Sequence, residues 1–237
     1  MVKKHLPLVF ILIFNLWVYQ IFSKNFIVGI FTILLSIIFW LAYHNNKKNY
    51  LQLGVVFVII GLFLQYKTSC INSLTFLNEN EKLQQQTRLR AYAGKNYILP
   101  LANWFELRQE SIAFYKLEDN LAEAVDPNLY FFANHPRERV GIIEKEKFPY
   151  MLLPMFLLGF FSLRRKHLPL TLLGLSPLAL ISIIGNSNPM GPFTLFPFLA
   201  VVTAIGIEKL NISKRLLPIA LIIFALVFIQ TITYTKY

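Results

Sequence analysis

The run Phe26-Ile-Val-Gly-Ile-Phe-Thr-Ile-Leu-Leu-Ser-Ile-Ile-Phe-Trp-Leu-Ala-Tyr43 carries no charge, and His44-Asn-Asn-Lys47-Lys48 closes it. A helix that crosses a bilayer core needs about 20 such residues, with about 17–25 in use. Lys and Arg beside a span stay on the cytoplasmic side, so the two lysines give this run a direction. Working outward, further apolar runs occupy 6–22, 50–66, 148–163, 168–185, 193–207 and 215–234. Basic residues fall in every second connection. Lys3 and Lys4 precede the first run, Arg164, Arg165 and Lys166 follow the fourth, and Lys209, Lys214 and Arg215 follow the sixth. The intervening short connections carry only Lys24, and the tail only Lys236. The alternation puts the N-terminus in the cytoplasm, and the C-terminus and residues 67–147 outside the cell membrane. The expected fold is an all-α integral membrane protein of about seven transmembrane helices with one helical extracytoplasmic loop domain. It divides into a three-span N-terminal membrane segment (1–66), the loop domain (67–147) and a four-span C-terminal bundle (148–237).

Composition agrees. Hydrophobic residues make up 56% of the 237, against about 45–50% in soluble domains. The net charge of +11 is topological: residues 67–147 hold eleven basic and eleven acidic side chains, and elsewhere the basic residues face Glu208 alone. No nucleic-acid partner is expected from such a distribution. Cys70 is the one cysteine, so no internal disulfide is available. The first run is longer than a signal-peptide core and lacks a small-residue cleavage site, so it is expected to be a retained span.

The runs 148–163 and 193–207 are short for a lipid-exposed span; they either draw on flanking residues or sit in protein surroundings. Pro149, Pro154, Pro169, Pro177, Pro197 and Pro218 fall in or beside the last four runs; prolines bend helices, which favours a concave C-terminal bundle that opens outward. Gly185-Asn-Ser-Asn-Pro-Met-Gly-Pro192 reads as an outer loop of helix breakers. No ionisable residue lies inside an assigned span, which argues against ion-coupled transport, proton pumping and conduction. In the loop domain, helices are expected near 79–92 and 102–125. The second places Phe105, Ile112, Tyr115 and Leu121 near one face, with Phe105, Ile112 and Leu121 expected to be buried against lipid or the bundle. Trp40, Tyr43, Tyr50, Tyr66 and Tyr150 sit at span ends as interfacial anchors.

The most distinctive polar stretch is Tyr130-Phe-Phe-Ala-Asn-His-Pro-Arg-Glu-Arg-Val-Gly141. The guanidinium groups of Arg137 and Arg139 match phosphate geometry, and His135 is the one histidine expected outside. Together they are the candidate substrate-binding residues, for a lipid-linked phosphate or pyrophosphate. The alternative is a surface turn whose arginines pair with Glu138, Glu144 or lipid headgroups. No nucleophile motif, phosphate-cradling glycine loop or metal-ligand spacing occurs, and no cofactor is implied. Adjacent carboxylates such as Glu118 and Asp119 do not face each other on a helix.

Asp126-Pro-Asn-Leu-Tyr-Phe-Phe132, the arginine run to Gly141, Phe148-Pro-Tyr-Met-Leu-Leu-Pro-Met-Phe-Leu-Leu-Gly159 and Pro197-Phe-Leu-Ala-Val-Val-Thr-Ala-Ile-Gly206 resemble the back half of GT-C class membrane glycosyltransferases. The likeness, over about half of the chain, is to bacterial enzymes related to protein mannosyltransferases, which use polyprenyl-phosphate sugars. It implies a cell-envelope glycan role and a polyprenyl-phosphate lipid as ligand. Members of that class carry catalytic acids in a long first outer loop; here that connection is Ser23-Lys24-Asn25, without a carboxylate. The resemblance therefore transfers architecture and leaves catalysis open. A second class of function is a non-catalytic membrane subunit or scaffold whose outer loop binds a membrane protein partner.

Overall fold

The computed structural model describes residues 2–45, 48–69, 74, 77, 79–92, 95, 97–132, 147–185, 188–210 and 217–234. Among them the chain is all-helical. The first apolar run forms two helices, α1 (Val2–Ile13) and α2 (Leu16–Lys24), bent by 60°. The single expected span at 6–22 is thus broken, and Asn15 is the cause. Its Oδ1 accepts from the backbone N–H of Trp17 at 2.9 Å and of Val18 at 3.4 Å, which caps α2 and offers the backbone an alternative to a continuous helix.

The next two runs form as expected. α3 (Phe26–Asn45) and α4 (Lys48–Thr68) are each long and apolar enough to cross a membrane. The sequence between α4 and the second bundle half gives α5 (Glu79–Ala91), α6 (Leu99–Glu106), α7 (Gln109–Val125) and a single turn, α8 (Asn128–Phe131). The helix expected over 102–125 is therefore two helices, separated at Leu107 and Arg108, where Arg108 takes an extended backbone (φ −73°, ψ 143°).

The second half contains α9 (Leu153–Ser162), α10 (Leu168–Leu175), α11 (Pro177–Ile184), α12 (Phe196–Lys209) and α13 (Leu217–Tyr234). α10 and α11, interrupted at Ser176 before Pro177, belong to one candidate span, Arg165–Ile184. Among the described residues, three helical stretches are long and apolar enough to cross a membrane, or four if α1 and α2 count as one.

α12 is the hub. Every residue from Phe196 to Gly206 is buried, as expected of a helix that is apolar all round. α9, α3 and α1 surround it, and α9 crosses it in backbone contact. The short run at 193–207 is thus buried in protein. Thr203 adds no unmet polar group, because its hydroxyl donates to Leu199 O at 2.8 Å.

The stretch read as an outer loop is, in its described part, a buried turn. Asn188, Met190, Phe193 and Thr194 are all buried. The carbonyls of Pro189, Met190 and Gly191 accept from Gln20 Nε2 at 3.0 Å, Trp17 Nε1 at 2.7 Å and Gln65 Nε2 at 3.3 Å. The bond to Pro189 is exposed, whereas the carbonyls of Met190 and Gly191 lie inside and need such partners. Asn188 Nδ2 also donates to Thr68 Oγ1 at 2.8 Å. The turn requires glycine at 191, where φ is +67° and a Cβ would sit 3.0 Å from Lys147 Cε.

At the opposite end of the bundle, His44 of α3 lies 3.6 Å from Glu208 of α12, and Tyr43 packs on His167, with ring centroids 4.5 Å apart. Lys48, Lys166 and His167 border one small cleft there. The described basic connections thus gather at one end, and the loop helices at the other. Trp40 is not an exposed anchor: it is buried and donates its Nε1–H to His5 Nδ1 at 3.1 Å.

Candidate lipid groove

α1, α9, α12 and α13 leave a groove of about 560 Å³ between them, within the range of about 300–1,000 Å³ typical of ligand sites. Its first wall runs along α1 from Leu6 to Ile13 and on to Phe14 just beyond the helix end, about 10 Å of it helix. Met155 and Ile207 form the floor where α9 and α12 cross, and Ile223 and Phe224 of α13 close the far side. The lining is apolar throughout. α13 meets α1 through phenylalanines: Phe10 and Phe224 have ring centroids 4.8 Å apart, and Phe14 and Phe228 5.5 Å apart.

The sequence places these walls simply. Val9 and Ile13 are one helical turn apart on α1, so that helix turns one apolar stripe to the groove; Met155 of α9 and Met151 and Leu152 of the 3-10 turn before it line the other wall. Such a surface holds hydrocarbon and has no polar group to orient a substrate.

Polar chemistry lies at the loop end. Phe14 borders the groove, and the next residue, Asn15, is fully buried; its Nδ2 has no partner among the described residues. Beyond it, Trp17 N–H donates to Lys147 O at 3.4 Å. Lys147 is buried, its Nζ donates to Leu129 O at 2.8 Å, and it stands 5.8 Å from the Trp17 ring centroid and 6.0 Å from that of Tyr130. Tyr130 O accepts from the backbone of Lys147 and Phe148, at 3.1 and 2.7 Å, and its hydroxyl donates to Ala124 O at 2.6 Å. Phe148 stacks on Phe196 of α12. This aromatic cluster ties the chain at Phe132 and Lys147 to the end of the groove.

The candidate residues His135, Arg137 and Arg139 fall between those anchors and lie outside the described residues, as does Cys70. Lys147, Asn15 and Trp17 were not singled out from sequence. Lys147 looked like one charge among many, and its burial follows from packing against Trp17. The carboxylate most deeply buried in the loop helices is Glu106, 3% exposed. Arg88 Nε holds it at 3.0 Å and the Tyr115 hydroxyl donates to it at 3.1 Å, so its oxygens serve to join α5, α6 and α7. Among the described residues no three His, Cys, Asp or Glu side chains converge as a metal site.

No family model, curated protein or solved structure matches the chain.

Proposed function

We propose that this is an integral membrane protein that binds the hydrocarbon chain of a lipid in the groove between α1, α9, α12 and α13. The observation that carries the reading is the wholly apolar lining of that groove. In this reading the chain crosses the membrane about seven times, with its basic end cytoplasmic and α5–α8 outside. The gathering of Lys48, Arg165, Lys166 and Lys209 at the end away from the loop helices supports that orientation.

The ligand class is a polyprenyl-phosphate lipid, as the likeness to GT-C glycosyltransferases implies. Its chain would occupy the groove, and Arg137, Arg139 and His135 would receive its phosphate from the segment that leaves at Phe132 and returns at Lys147. The role is in cell-envelope glycan assembly, without a catalytic carboxylate in the first outer connection. The test is mass spectrometry of lipids that copurify in mild detergent, for the natural chain and for Val9→Trp with Met155→Trp, which fill the groove. A retained polyprenyl-phosphate that these changes expel supports the reading; equal lipid retention by both proteins overturns it. A second reading, a non-catalytic subunit that binds a protein through residues 67–147, rests on the exposed apolar side chains of α6 and α7.

A further inference from the structure

α7 is amphipathic in the inverted sense. Phe114, Leu117, Leu121 and Val125 recur at spacings of three, four and four residues, which makes one stripe. They are 63%, 36%, 39% and 57% exposed. Four polar residues between them turn inward, whereas Glu118 is exposed at the edge of the stripe. Tyr115 donates to Glu106, Lys116 Nζ pairs with Glu81 of α5 at 3.3 Å, Asn120 Nδ2 donates to Ser182 O of α11 at 3.0 Å, and Glu123 is buried. α6 continues the pattern: Leu101, Trp104 and Phe105 are exposed, whereas Gln85 of α5 reaches in to donate to Glu106 O at 2.6 Å. A water-facing helix would present the opposite faces.

The neighbour of α7 identifies what covers the stripe. α7 packs along α11, the second half of a candidate span with mean hydropathy 1.8. Ile183, beside the Ser182 carbonyl that Asn120 grips, is itself 47% exposed. α7 thus lies against a candidate span that also leaves apolar side chains exposed. Arg108 places its guanidinium 3.8 Å from the Trp104 ring centroid, an aromatic and a cation together, as at a headgroup boundary. α5, by contrast, is strongly hydrophilic and buries only Gln85.

We infer that α6 and α7 lie in the membrane interface, with the stripe from Phe114 to Val125 turned into the lipid of the adjacent leaflet, and that α5 roofs their polar side in water. This depends on α11 lying in a bilayer and not on the identity of any ligand in the groove, so the two ideas fail separately. A contiguous exposed apolar stripe marks a membrane or protein contact. The packing of α7 along a candidate span favours lipid, and a protein partner becomes an outcome of the test.

The test uses the full chain with Cys70→Ser in phosphatidylcholine–phosphatidylglycerol nanodiscs, spin-labelled at Phe114→Cys, Leu121→Cys, Val125→Cys or Gln86→Cys. The three stripe positions should collide more often with oxygen than with a water-soluble nickel chelate, and Gln86 of α5 should show the reverse order. Acyl-brominated lipid should also quench Trp104, the exposed member of the three tryptophans, and Trp104→Phe should remove that quenched component. Nickel-dominated collisions along the stripe would place it in water. Low collision with both reagents would place it under a second copy of the chain. Either result overturns the inference, as does unchanged quenching in Trp104→Phe.

Discussion

Gly159 of α9 and Gly206 of α12 face each other where the two helices cross. A Cβ built on Gly159 would strike the Val202 carbonyl oxygen, and one on Gly206 would strike that of Met155. The obstacle in each case is backbone, which cannot rotate away as a side chain can. Small residues let helices in membranes approach this closely, where packing contacts must replace a hydrophobic driving force.

A methyl group at either position should therefore force α9 off α12. Gly159→Ala and Gly206→Ala are each expected to cost about 1–3 kcal/mol, the usual penalty for overpacking. Gly61→Ala is the comparison, because its nearest neighbour is the Phe31 ring at 3.1 Å, a side chain able to shift. Thermal unfolding in detergent should rank Gly61→Ala well above the other two; equal melting temperatures would refute the backbone contact.

The buried turn at 188–192 supplies a second test. Trp17→Phe keeps an aromatic ring but removes the donor to Met190 O. A buried carbonyl left without a partner costs about 1–3 kcal/mol. Gln65→Leu should act in the same direction through Gly191 O. Both should speed backbone hydrogen exchange in α12 just after the turn, whereas Gln20→Ala, whose bond to Pro189 O is exposed, should change it little.

These elements show how far the sequence can be read. α3 and α4 were legible because an unbroken apolar run has one solution in lipid, and their observed limits differ from the expected spans by at most two residues at any end. The break at Asn15 was not legible, because one amide in an apolar run is also compatible with a straight span; the decision came from Trp17 and Val18 offering N–H groups to it. A single helix is the expectation over 102–125 because no proline or glycine falls inside it, so the break at Leu107 and Arg108 has no local signal. Phe105 and Leu121, expected against lipid or the bundle, are 51% and 39% exposed, so the described residues do not cover them; periodicity locates such a stripe but does not say what it meets. The groove left no local signature at all: Val9, Met155 and Phe224 come from three distant segments, and any apolar residue would suit each.

Asn15 itself yields a further prediction. Asn15→Leu would suit a straight span by composition, but it deletes the cap on α2 at about 0.5–2 kcal/mol. Asn15→Ser keeps an oxygen to accept from Trp17 and Val18 and discards the Nδ2 that has no described partner, so it should be close to neutral. A protein more stable with Leu than with Ser, by thermal unfolding, would show that the cap does not hold the bend.

The loop helices carry a pH-dependent contact. Burial, then the hydrogen bond to Glu106, hold the Tyr115 phenol above its usual value. Its stabilising contribution is therefore full below about pH 10, the unfolded value, and is lost as the pH rises through the raised folded value. Tyr115→Phe should remove that alkaline loss. Arg88→Ala should destabilise at neutral pH, because it strips the partner from Glu106; Arg88 is 37% exposed, so the loss should fall below the roughly 3–5 kcal/mol of a fully buried pair. Circular dichroism followed from neutral to alkaline pH checks both.

The orientation rests on charge, so it can be tested without reference to any ligand. With Cys70→Ser as background, single cysteines at Asn49 and Arg165 probe the basic end, and one at Asn128 probes the loop end; all three positions are exposed. His167 is unsuitable, being 6% exposed and packed on Tyr43. If the basic end is cytoplasmic, a membrane-impermeant maleimide on intact cells should label Asn128→Cys, and should reach the other two only after permeabilisation. The reverse pattern would invert the protein in the membrane while leaving its packing intact. Labelling of all three from outside would mean that no bilayer separates the two ends, and would remove the basis for assigning α3, α4 and the α10–α11 helix as spans.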